Sequence, residues 1–104
     1  MDVQLQQAWQ TLLANSVVDA YYNATSSTIT VVLYLPVTPA PVRIEHAYVD
    51  GVAIPPSDYI SGFNVAIPPK TFFNVSFTYT LSPGSHTVVL TTSVGGKIEV
   101  SVQG

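Results

Sequence analysis

The sequence predicts an all-β fold, a sandwich of two antiparallel sheets, and three observations carry that prediction. Within residues 71–81, Phe73, Val75, Phe77, Tyr79 and Leu81 on one face alternate with Asn74, Ser76, Thr78 and Thr80 on the other. A two-residue period of this kind marks a strand with one face buried and one wet. The pattern recurs: Ile29, Val31, Leu33 and Leu35 alternate with Thr28, Thr30 and Tyr34, and Ile98, Val100 and Val102 with Lys97, Glu99 and Ser101. Turn chemistry separates such runs, at Asp50-Gly51, Ser82-Pro83-Gly84 and Gly95-Gly96, where glycine and aspartate accept the backbone angles of tight reversals.

The elements follow in order. Leu5, Ala8, Trp9, Leu12 and Leu13 recur at helical spacing among Gln4, Gln6, Gln7 and Gln10, so residues 1–15 read as a short amphipathic helical lead-in. Residues 16–104 are then the sandwich. A first strand over 17–22 turns through 23–27 into a second over 28–35. Pro36, Pro39 and Pro41 remove three ladder donors, which predicts an extended linker crossing between sheets. A strand over 42–49 places Val42, Ile44 and Tyr48 on one face and Arg43, Glu45 and Ala47 on the other. Asp50-Gly51 turns it into a short return arm, 52–54, ended by Pro55-Pro56. Residues 57–62 read as a loop or weak edge strand, and 63–67 as a brief strand stopped by Pro68-Pro69. After the long strand, residues 86–93 and 97–103 form a last hairpin. About seven short strands at this spacing describe an immunoglobulin-like sandwich.

Composition narrows the function classes. The 104 residues suffice for one domain, and 47% hydrophobic residues suffice for its core. Only 9% are charged, against roughly 25% in ordinary soluble domains, so the surface is built from hydroxyl and amide groups. A net charge of −3 with Arg43, Lys70 and Lys97 as the basic residues leaves no cationic stripe for a phosphate backbone, which argues against nucleic-acid binding. There is no cysteine, so stability is expected from packing rather than from disulfides. No run of about twenty apolar residues occurs, and Met1-Asp2-Val3-Gln4 lacks the basic and apolar regions of a signal peptide.

Catalytic patterns are weak. His46 and His86 lie forty residues apart in predicted strands, with no spaced ligand partner, so no metal site is expected. Ser85 beside His86 is a turn serine rather than a nucleophile on a strand-to-helix elbow. Asp50 is accounted for by its turn, Asp58 by a loop, and Glu45 and Glu99 by wet strand faces. The chain is therefore expected to be no enzyme and to need no cofactor. Tyr21, Tyr22, Tyr34 and Tyr59 are the candidates for stacking on sugar, although half-buried tyrosine is common on pleated sheets. Asn23-Ala24-Thr25 and Asn74-Val75-Ser76 fit the N-glycosylation acceptor pattern, which makes Asn23 and Asn74 modification candidates if the chain is exported.

The order of these pieces resembles the extracellular domain of archaeal type IV pilin-like proteins, among them adhesive pilins, archaellins and archaellum stator-type accessory proteins. The resemblance rests on the helical lead-in and on the strand from Thr28 to Tyr34. It rests also on the segment from Val42 through Ile44, Tyr48, Val49 and Asp50 to Gly51, and on residues 81–92 before a glycine-containing hairpin. It implies a membrane-anchoring hydrophobic helix of which residues 1–15 are the end, and an extracellular or cell-surface, filament-incorporated location. The partners it implies are identical or related filament subunits and surface-layer protein. Leu5, Trp9 and Leu12 are the assembly contacts expected in that setting. The family's frequent Asn-x-Gly after the second strand is replaced here by Leu35-Pro36-Val37-Thr38. The alternative reading is a non-polymerising carbohydrate- or surface-layer-binding module.

Overall fold

The computed structural model describes residues 12, 13, 15–38 and 40–104. Eight strands form two four-stranded antiparallel sheets: β1 (Val17–Asn23), β2 (Thr28–Tyr34), β3 (Ile44–Val49), β4 (Val52–Ala53), β5 (Tyr59–Ser61), β6 (Phe72–Thr78), β7 (Ser85–Thr92) and β8 (Lys97–Gln103). The first sheet has the order β1-β2-β6-β5 and the second β4-β3-β7-β8. The chain makes a hairpin in the first sheet, crosses through residues 35–43 to a hairpin in the second, and returns for β5 and β6. It then crosses again to finish with the β7–β8 hairpin. The proline-rich linker does change sheets, as expected, its missing backbone donors keeping it out of a ladder.

Alternation is the reason for the layering. Ile29, Val31 and Leu33 on β2 and Val75 and Phe77 on β6 are fully buried, as are Val88 and Leu90 on β7 and Ile98 on β8. These inward residues meet in one continuous core, while their neighbours in sequence point to solvent. Within the predicted lead-in, residues 1–11 and 14 lie outside the described residues, so the helix and the contacts expected of Leu5 and Trp9 are not described. Leu13 is fully buried in the core and Leu12 packs against it. Both the backbone N–H and the hydroxyl of Ser16 donate to the Leu13 carbonyl.

Two local expectations are corrected, and a third, the weak edge strand within 57–62, is met. On β3 the register shifts between Ile44 and His46, a bulge that reverses the alternation beyond it. Ala47 and Val49 consequently face the core, 1% and 0% exposed, and Tyr48 is half-buried on the other face. The stretch 63–67 is not a strand. Gly62 and Asn64 both have positive φ, 87° and 59°, which breaks extended backbone and leaves single bridges from Phe63 and Ala66 to the β3 region. Residues 59–61, expected as loop or weak edge, form β5 after a 3₁₀ turn over Pro56–Asp58. Gly62 has a second constraint besides its φ, because a Cβ there would lie 2.5 Å from the Asn74 carbonyl oxygen and 2.9 Å from the Val75 Cα.

Candidate functional site

Two regions gather chemistry. The first is the outer face of the first sheet. Cross-strand partners share a face, so the register β1–β2–β6 places Tyr21 beside Thr30 and Ser76, Asp19 beside Val32 and Asn74, and Tyr34 beside Phe72. Tyr34 and Phe72 are exposed, and their ring centroids lie 5.3 Å apart at 58°. Thr30 is buried even on this face, where its hydroxyl shares a hydrogen bond with Ser76 Oγ at 3.2 Å. The surface that results is aromatic and hydroxylic, with Asp19 its one charged residue among the strand positions described. It can pack against neutral partners without stripping water from ions.

Both sequon asparagines lie on this face. Asn23 ends β1 and is exposed; its Oδ1 accepts the backbone N–H of Thr25 at 3.0 Å and of Ser26 at 3.4 Å, closing the turn into β2. Asn74 lies mid-strand on β6, exposed, between Phe72 and Ser76 on the same face. Of the tyrosines proposed as sugar platforms, Tyr34 is exposed. Tyr59 is not available: its ring stacks flat on Phe63 with centroids 3.8 Å apart, and Phe63 meets Phe77 edge-on. The Tyr59 hydroxyl is buried without a hydrogen-bond partner among the described residues.

The second region joins three residues that spacing in sequence keeps apart. Asp50, at φ 50° in the β3–β4 turn, meets His86 at the start of β7, with Nδ1 and Oδ2 2.6 Å apart. The other Asp50 oxygen accepts the Thr87 backbone N–H at 3.0 Å. His86 Nε2 lies 2.8 Å from the Ser82 backbone carbonyl and 3.4 Å from Ser82 Oγ. A carboxylate and a carbonyl are acceptors only, so both ring nitrogens must donate, and the site selects the imidazolium. The Asp50 hydrogen bond, reinforced by the Ser82 carbonyl, raises the His86 pKa above its ordinary 6.5. The His86 bond and then the Thr87 N–H lower that of Asp50 below 3.8. The charges thus hold three turns and strand ends together.

Asp50, His86 and Ser82 have the residue types of a hydrolytic triad, but the arrangement does not work as one. A general base needs a lone pair on Nε2 aimed at the serine hydroxyl. Here the shorter contact of Nε2 is the carbonyl, which holds a proton on that nitrogen. The cluster is not visible in the sequence, where each member has a local explanation. The Asp50-Gly51 turn and the second-sheet pairing of β3 with β7 are what bring it together. His46 is exposed and does not join it, and among the described residues no three acidic, histidine or cysteine side chains are grouped to hold a metal ion.

No family model matches the chain, and no curated protein matches it either.

Proposed function

We propose that this domain is a non-catalytic structural unit of a cell-surface filament system of the archaeal pilus or archaellum kind, docking against identical or related subunits or a surface-layer protein. The observation that carries the reading is the first sheet's outer face, charge-poor and studded with exposed aromatic and aliphatic side chains. Such a face is suited to close packing between neutral surfaces and unsuited to turnover. Sheet order adds support. β1-β2-β6-β5 opposed to β4-β3-β7-β8 corresponds to the ABED and C′CFG sheets of an immunoglobulin-like sandwich, an architecture common in display and adhesion domains. Leu13, fully buried in the core, fixes the start of the sandwich at its own position, which is compatible with a domain carried on an anchoring segment.

The test is location and assembly. With the complete gene tagged in its native cells, the protein is expected in the sheared surface-filament fraction or the envelope, behind a hydrophobic helix. A gene without such a helix, and a protein confined to the cytosol, would sink the proposal. A second reading, a sugar- or surface-layer-binding module that does not polymerise, is favoured by the exposed Tyr34–Phe72 pair. It requires low-micromolar binding on a glycan array that Phe72→Ala abolishes.

A further inference from the structure

Each sequon has an aromatic residue two positions upstream. Tyr21-Tyr22-Asn23-Ala24-Thr25 and Phe72-Phe73-Asn74-Val75-Ser76 share the order aromatic, any residue, Asn, any residue, hydroxyl. In the fold both spacings fall within strands of the first sheet, so that aromatic and asparagine point to the same outer face about 7 Å apart along the chain. Both aromatics are uncovered, Tyr21 48% and Phe72 66% exposed. Large apolar side chains standing out on a sheet face ask for a cover, and the attachment point for one is beside each.

We propose that Asn23 and Asn74 carry N-linked glycans, and that the first sugar of each packs its C–H face on the ring of Tyr21 or Phe72. Four observations converge on it. Asn74 is exposed with no side-chain hydrogen bond among the described residues. At Asn23 the turn occupies only Oδ1, so a bond at Nδ2 leaves it intact. The Tyr34 ring extends the Phe72 platform, and the negative face of an aromatic ring suits the weakly positive C–H groups of a pyranose. The strand residues next to Asn74 on this face, Val32, Tyr34, Phe72 and Ser76, are uncharged, and Asp19 lies one strand further out beyond Val32, so a sugar laid on Phe72 and Tyr34, away from Asp19, desolvates no ion.

The transfer itself is a substitution. Nδ2 of the asparagine forms a bond to the anomeric carbon of an oligosaccharide carried on a lipid phosphate or pyrophosphate. The sugar–oxygen bond breaks with its electron pair leaving on the phosphate, and an amide proton passes to a base of the transferase. This inference rests on the surface reading above, since such donors act on exported chains.

The experiment separates the two. The whole chain is secreted from a eukaryotic host behind a cleavable signal peptide, and its glycans are trimmed by endoglycosidase to one N-acetylglucosamine per site. Peptide mapping by mass spectrometry is expected to find both asparagines occupied. Comparison with Asn74→Gln is expected to show that the sugar raises the melting temperature by ~2–4 °C, and that Phe72→Ala removes at least half of this gain. Asn23→Gln and Tyr21→Ala are expected to behave alike. Sugar C–H protons shifted upfield by the ring would support the same contact. Unoccupied asparagines in folded, secreted protein, or a gain untouched by the alanine variants, would overturn it. Because the host imposes export, a cytosolic location in native cells would remove the surface reading and the native modification with it, whereas a gain untouched by the alanine variants would remove the seating on the rings and leave the surface reading in place.

Discussion

The two sheets of this sandwich share a core and differ on the outside. Among the exposed large hydrophobic residues, Val18, Tyr21, Tyr34, Ile60 and Phe72 lie on strands of the first sheet and Val52 on a strand of the second. The charges divide the other way: the first sheet's strands carry Asp19, the second's Glu45, Lys97 and Glu99. The second sheet also has the Asp50–His86 ion pair at one end. One sheet thus presents apolar and aromatic side chains on its strands and the other presents charged ones. Apolar packing in the shared core belongs to both sheets; the first adds the close backbone approach at Gly62 and the second the Asp50–His86 pair.

The largest effect tests the two faces of a single strand. Phe77→Ala, in the core, is expected to cost about 3–5 kcal/mol, whereas Phe72→Ala, on the outer face of β6, should cost less than about 1 kcal/mol. Urea denaturation of both variants measures it, and comparable losses would break the distinction between core and covering face. Next comes the edge of the first sheet. Gly62→Ala combines a positive φ with a collision against the β6 backbone, and is expected to lose roughly 1–3 kcal/mol in the same assay.

The clasp sharpens the other side of the comparison. His86, its pKa raised by Asp50, contributes stability that is complete below 6.5 and disappears as pH rises through the folded-state value. Asp50, lowered by His86, contributes stability that is present above 3.8 and lost as pH falls through its own folded-state value. Thermal melts should therefore be most favourable between those limits, and Asp50→Asn should flatten the alkaline decline and return the His86 NMR titration towards 6.5. An unchanged titration midpoint in that variant would show that the clasp does not operate. The smallest effect is expected at Tyr59→Phe. Removing a buried hydroxyl that has no partner among the described residues should leave stability unchanged or improve it by up to about 1 kcal/mol in urea melts. A loss beyond that would mean the hydroxyl is satisfied in solution.

Much of the architecture was legible because period-two alternation is written in adjacent residues. β2, β6 and β8 follow from it directly; β7 follows as the first arm of the hairpin around Gly95-Gly96, and the linker crossing follows from prolines that cannot donate to a ladder. β3 defeated the same rule at one residue. A bulge between Ile44 and His46 depends on how β3 meets β7, and no local pattern announces it, so Ala47 and Tyr48 exchanged their expected faces. The stretch 63–67 reads as a brief strand stopped by Pro68-Pro69, but Gly62 and Asn64 take positive φ, and the Asn64 and Ile67 N–H groups donate to the Ile44 and Val42 carbonyls, contacts that exist only once distant chain segments meet.

Site features divide along the same line. Both sequons could be read from three consecutive residues, yet nothing in their sequence says that they share a face with Tyr34. The Asp50–His86–Ser82 cluster, drawn from the β3–β4 turn, β7 and the turn before it, was invisible for the same reason. By itself the sequence determined that this chain would be a charge-poor, all-β domain with alternating strands and particular turns, because those properties arise from neighbours along the polypeptide. Tertiary structure alone decided where register slips and which distant side chains pair, as Asp50 does with His86. Each of those depends on contacts between strands whose mutual positions are set only when the whole core closes.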